Sequence, residues 1–239
     1  MIALYLTSDP FYWSILGIGL LLSLVTAGKV KSTFAHYSQV RSRSGLSGAD
    51  VARAILQANS IHDVKVEPVH GSLTDHYDPS SKTLRLSEPV YGSDSVAALG
   101  VAAHEVGHAI QHATRYAPLQ FRSAWVPVAG IGSNIGFIVM LIGMGLAAAG
   151  GSMTMAWIGV ALFATATVFT LITLPVEFDA SRRALVTLEQ SGVLVGEEID
   201  GARSVLNAAA MTYVAAAAVS VMQLLYWVFH ILGSQRSND

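Results

Sequence analysis

VPVAGIGSNIGFIVMLIGMGLAAAG (126–150) and MTMAWIGVALFATATVFTLITL (153–174) follow one another with only Gly151 and Ser152 between them. Neither run contains a Lys, Arg, Asp or Glu. At ~1.5 Å per helical residue, each is long enough to cross a hydrocarbon core of ~30 Å. Together they read as a transmembrane hairpin. Two more uncharged apolar runs flank it, residues 11–27 and 208–232. The first is 17 residues, and residues 4–7 can lengthen it across Pro10. The composition agrees, since 52% of the 239 residues are hydrophobic and only 13% charged, against about 25% charged in ordinary soluble domains. One such run could be a buried soluble helix, but four predict a membrane protein with four transmembrane helices.

Charge sets the expected orientation. Nothing basic precedes the first run, and Lys29 and Lys31 follow it. That order suits a retained span rather than a cleaved signal peptide. Of 14 Lys and Arg, ten lie between Lys29 and Arg122 and three between Arg182 and Arg203. Both stretches fall on one side of a four-span arrangement, and only Arg236 falls on the other. The positive-inside rule makes that side cytoplasmic and puts both termini outside. Phe11, Tyr12 and Trp13 open the first span, and Tyr226, Trp227 and Phe229 close the last, as interfacial aromatics do. A net charge of −2 gives no reason to expect a nucleic-acid partner. With no cysteine, any metal must be held by His or carboxylate.

The expected organisation is a first span over residues 1–28 and a cytoplasmic region over 29–124. A membrane hairpin over 125–174, a second cytoplasmic segment over 175–207, and a last span with a short tail over 208–239 complete it. Within the first cytoplasmic region, residues 47–59 (SGADVARAILQAN) read as an amphipathic helix with Val51, Ala54, Ile55 and Ala58 on one face. Residues 63–87 have strand character, and LTDHY and TLRLS around Asp78–Ser81 predict a β-hairpin. From Ser93 or Asp94, either able to cap, a helix runs to about Ala113. Residues 175–207 predict two helical stretches broken near Ser191 and Gly192.

The helix ending near Ala113 carries His104-Glu105-Val106-Gly107-His108. Histidines at i and i+4 stand ~40° apart around a helix and ~6 Å apart along it, so both imidazoles can reach one ion. In the HExxH pattern that ion is zinc, and the glutamate takes a proton from the attacking water. A plainer reading is a helix with two surface histidines and a glutamate. It is disfavoured because the pattern falls on the helix that the surrounding apolar residues independently predict.

A catalytic zinc wants a third protein ligand. His112 extends the series but lies ~12 Å along the helix from His104, beyond the reach of a shared ion. It is expected to be a helix-end residue or one that supports the site. His62, His70 and His76 lie around the strands as surface residues, with His76 able to face a cleft. Glu177, in LPVEFDASRRA, is the better candidate, because the hairpin returns the chain to the same membrane face just before it. The alternative is that Glu177 only pairs with Arg182 or Arg183 at the interface. A carboxylate so near the bilayer is costly without a partner, which favours the ligand role.

LTDHYDPSSKTLRLSEPVYGSDSVAALGVAAHEVGHAIQH, followed by two apolar spans and LPVEFDASRRA, resembles the YugP-like neutral zinc metallopeptidases of bacterial membranes. The resemblance covers about residues 72–213. It implies a mainly α membrane protein with a cytoplasmic α+β, gluzincin-like peptidase region. It further implies a Zn²⁺ site of His104, His108 and Glu177 with Glu105 as catalyst, and a multi-pass protein of the bacterial inner membrane acting on polypeptides, membrane proteins among them. Kin of this family, including the bacterial heat-shock membrane protease and the CAAX prenyl protease, carry an Asp four residues after the ligand glutamate to orient the first histidine. Here that position is Ser181 and Asp179 comes two residues after Glu177, so the orienting group is left open. In such peptidases the strand before the active helix pairs with substrate, which would make residues 83–87 an exposed edge. Tyr213, at the start of the last span, is the first candidate for an oxyanion donor, and Arg182 the second.

Two other readings compete. A site-2-type intramembrane protease would carry its HExxH within a span and an aspartate in another, and these four spans contain no aspartate. A non-catalytic membrane scaffold could retain the metal site.

Overall fold

The computed structural model describes residues 9–236, so residues 4–7, the possible extension of the first span, lie outside it. The described chain is mainly helical. Its elements are α1 (Pro10–Tyr37), α2 (Gly48–Ala58), β1 (Lys65–Val69), β2 (His76–Asp78), β3 (Thr83–Ser87), α3 (Glu88–Tyr91), α4 (Val96–Ala113), α5 (Ala117–Ala148), α6 (Thr154–Gln190) and α7 (Glu197–Arg236). Four of them, α1, α5, α6 and α7, are long and apolar enough to cross a membrane. Their large apolar side chains stay largely exposed, such as Leu20, Leu21 and Leu24 on α1 and Ile131, Ile135, Ile138 and Ile142 on α5. Such surface is stable against lipid tails and not against water.

The chain divides into two compact units. One comprises Phe121–Leu174 with the described parts of Met1–Val25 and Tyr213–Asp239. Its core gathers Met140, Ala156, Val160, Trp227 and Ile231. Glycines let α5 and α6 touch backbone to backbone: a Cβ on Gly143 would fall 2.1 Å from the Ala156 nitrogen, and one on Gly159 2.2 Å from that of Met140. Close backbone approach replaces the hydrophobic driving force that helices lack in lipid.

The second unit is Thr26–Gln120 with Pro175–Thr212. Its core packs Val51 and Ile55 of α2, Leu84 and Leu86 of β3, Leu99 and Val106 of α4, and Leu188 of α6. Local signals explain the helices. Ser47 and Asp50 form a capping box at the start of α2, which satisfies two orphan N–H groups. Ser95, rather than Ser93 or Asp94, caps α4 by accepting from the Ala98 N–H. Asp78 closes the β2–β3 turn by accepting from the Ser80 N–H at 2.9 Å and the Ser80 and Ser81 hydroxyls at 2.6 Å. Those donors hold its carboxyl well below the usual range.

The sheet is mixed, in the order β1-β3-β2. The hairpin forms as expected, with β2 antiparallel to β3 and Tyr77 opposite Leu84. The expectation that residues 83–87 present an open edge is overturned. β1 pairs parallel to β3 from Lys65↔Thr83 to Val69↔Ser87, so β3 is the central strand. Thr83, Leu84, Leu86 and Ser87 are buried. The free edges belong to β1 and β2.

Residues 175–207 also depart from expectation in one respect. The helix of the second membrane run does not stop at Leu174. It continues through Pro175 to Gln190 as the single helix α6, and the break falls at residues 191–196 before α7.

Candidate metal centre

Helix α4 presents His104 and His108 one turn apart, with ring centroids 4.8 Å apart and planes at 84°. Between them stands Gly107, where a Cβ would lie 2.6 Å from the Ala180 carbonyl oxygen. Any larger residue would force α6 away. The close approach brings in Glu177, three residues before Ala180 on α6, and buries it to 3% exposure.

The Glu177 Oε2 lies 3.3 Å from the His104 Nε2 and 3.6 Å from the His108 Nε2. One nitrogen from each histidine and this oxygen all fall within 4.8 Å of one another. The oxygen is buried and makes no hydrogen bond to any described residue. A buried carboxylate oxygen without a donor is costly, and a cation between the three atoms removes the cost. Two imidazole nitrogens and one carboxylate oxygen are also the donor set that suits zinc. The residues fit the ion. Burial pushes the His108 imidazolium toward a lower pKa, but the Glu177 and Glu105 carboxylates outweigh it and raise it above the ordinary value. Glu105 itself is buried to 8% exposure.

The far side of each ring is also held. The His104 Nδ1 is 3.1 Å from the Ser181 hydroxyl. Of the two groups the sequence left open, Ser181 and not Asp179 meets His104. The His108 Nδ1 is 3.1 Å from the Gln111 Oε1. Gln111 is fully buried, and its Nε2 donates to the Val176 carbonyl at 2.8 Å and to the Asp179 carboxylate at 3.0 Å. With both amide hydrogens committed, Oε1 must accept, so His108 carries its proton on Nδ1 and turns Nε2 inward. Asp179 is fixed in turn by Arg182 and by the Arg183 Nε at 2.5 Å. The two arginines therefore pair with Asp179 and not with Glu177. Sequence reasoning missed Gln111. Its only visible signal was an amide three residues beyond His108, on the same helix face.

The remaining candidates lie elsewhere. His112 bonds the Tyr77 hydroxyl through Nδ1 at 2.8 Å and ties the end of α4 to β2. Burial, with Asp63 and Asp78 nearby, pushes that Tyr77 hydroxyl up to about 12. His70 contacts Glu88 and His76 contacts the Thr74 carbonyl, both exposed. Tyr213 is half-buried on α7 and belongs to the other unit.

A family model described as "Putative neutral zinc metallopeptidase" matches residues 12–232. A Bacillus subtilis (strain 168) protein named "Putative membrane protease YugP" is 47% identical over 217 residues, which is 91% of this chain and 95% of that protein. No solved structure matches.

Proposed function

The chain belongs to the neutral zinc metallopeptidase family, and on that footing we propose that it is a membrane-embedded zinc endopeptidase. It hydrolyses peptide bonds in membrane or membrane-proximal polypeptides. The observation that carries this reading is the buried Glu177 oxygen, left without a hydrogen bond while facing the Nε2 atoms of His104 and His108.

His104, His108 and Glu177 hold the ion. When bound, zinc supplies Lewis acidity toward a carbonyl and makes a water acidic enough to be used near neutral pH. Ser181 and Gln111 keep the Nε2 atoms turned toward it. Glu105, next to the first ligand, takes a proton from the attacking water and returns it to the departing amine. The charge bias of the sequence, 13 of 14 basic residues on one side of the spans, supports a site facing the cytoplasm of a bacterial inner membrane.

The decisive variant is Glu105→Gln. Cleavage of an unfolded protein substrate falls by roughly 10²–10⁴-fold, while zinc measured in the purified protein stays at one per chain. A variant that lost its zinc would show that Glu105 is a ligand, and one that kept full activity would remove it from the chemistry.

A further inference from the structure

A cavity of the second unit, lined by none of the metal-site residues, lies between the last turns of α1 and the first turns of α7. The two helices meet where Tyr37 lies against Gly201: a Cβ at Gly201 would fall 2.7 Å from the tyrosine ring. Further along, a groove of about 530 Å³ separates them. Its α1 wall is Lys29, Ser32, Thr33 and His36, and its α7 wall is Ser204, Asn207, Ala208 and Met211. Each set follows the i, i+3, i+4, i+7 spacing of one helix face.

The chemistry of the two walls is graded. The Ser32 and Ser204 hydroxyls turn back to the carbonyls of Lys29 and Asp200 on their own helices. That leaves the Lys29 ammonium, the His36 ring, the Thr33 hydroxyl and the Asn207 amide to face the cavity. No acid among the described residues forms an ion pair with Lys29 or His36, and none lines the groove. Lys29 follows the apolar run 11–27 by two residues, and Ala208 opens the apolar run 208–232. The Lys29 ammonium therefore stands at the end of a hydrocarbon-matched segment, and Met211 continues the groove wall into that segment.

We propose that this groove binds the phosphate headgroup of an anionic phospholipid, with the acyl chains following Met211 along α7. An unpaired ammonium with neutral donors around it recognises a phosphate oxygen. The apolar continuation distinguishes a lipid from free phosphate. The site is independent of the zinc residues and stands whether or not the peptidase reading holds.

The test uses the purified full chain in detergent, titrated with phosphatidylglycerol, with phosphatidylcholine of the same chains, and with inorganic phosphate. Native mass spectrometry counts the bound lipid. One phosphatidylglycerol per chain is expected, held at least tenfold more tightly than phosphatidylcholine and not displaced by millimolar phosphate. The double variant Lys29→Gln with Asn207→Leu should weaken it at least tenfold with zinc content unchanged. As a measurement free of substitutions, a photoreactive phosphatidylglycerol should cross-link to residues 29–37. Equal binding of both lipids, undiminished binding in the variant, displacement by phosphate, or cross-links confined elsewhere would each overturn the proposal.

Discussion

Replacing Gln111 by Met tests most sharply the side chains that stand behind His104 and His108. The side chain is fully buried, and the thioether nearly matches it in volume, so little cavity is created. Three hydrogen bonds disappear: to the His108 Nδ1 at 3.1 Å, the Val176 carbonyl at 2.8 Å and the Asp179 carboxylate at 3.0 Å. The Val176 carbonyl keeps its place in the backbone ladder of α6, so the group left without a partner is the His108 Nδ1–H, at about 1–3 kcal/mol for an unsatisfied buried group. Asp179 keeps both arginines, so its charge is not abandoned. The fold should survive with about 2–4 kcal/mol less stability. His108, freed to rotate, should bind zinc about 10–100-fold more weakly, or about 1.4–2.8 kcal/mol. Competition with a chromophoric chelator measures the affinity, cobalt substitution reports the ligand geometry, and a circular-dichroism melt follows the fold. Unchanged zinc affinity and an unchanged cobalt spectrum in a folded Gln111→Met protein would refute the idea that this amide sets the ring.

Three further outcomes are expected. Glu177→Ala should strip zinc and activity together. His112→Ala should leave zinc bound, since its Nδ1 serves Tyr77, and metal analysis after gel filtration decides both. For orientation, a cysteine replacing Lys82 should resist a membrane-impermeant thiol reagent in intact cells, while one replacing Ser152, in the α5–α6 turn, should react. The reverse labelling would put the histidines outside.

Much of this was legible in the sequence because it depended on spacing alone. The four uncharged runs gave the four long apolar helices, and the i, i+4 histidines gave converging rings. Glu177 could be reached because two consecutive spans bring the chain back to one face. What was hidden depended on partners chosen in three dimensions. Val64, Val66 and Val69 signalled a strand but not that it would pair parallel to β3 and close the edge expected to stay open. Ser93, Asp94 and Ser95 are three adjacent capping types, and only the entry of the chain into α4 selects Ser95. Ser181 and Asp179 stand ~160° apart around α6, so only the facing of that helix decided which of them met His104. Gln111 looked like any helix-surface amide until α6 covered it.

The seam between Gly107 and Ala180 has a mechanical consequence. With no side chain between them, α4 and the stretch of α6 that holds Ala180 rest main chain on main chain. The two histidines lie on one side of that seam and the carboxylate on the other. Their separation is therefore gauged by hard backbone contact, close-packed and barely compressible, rather than by rotamers that can settle in several ways. Position 107 acts as a shim of zero thickness: one methyl group there would spread the oxygen and the nitrogens apart without touching a single side chain of the site.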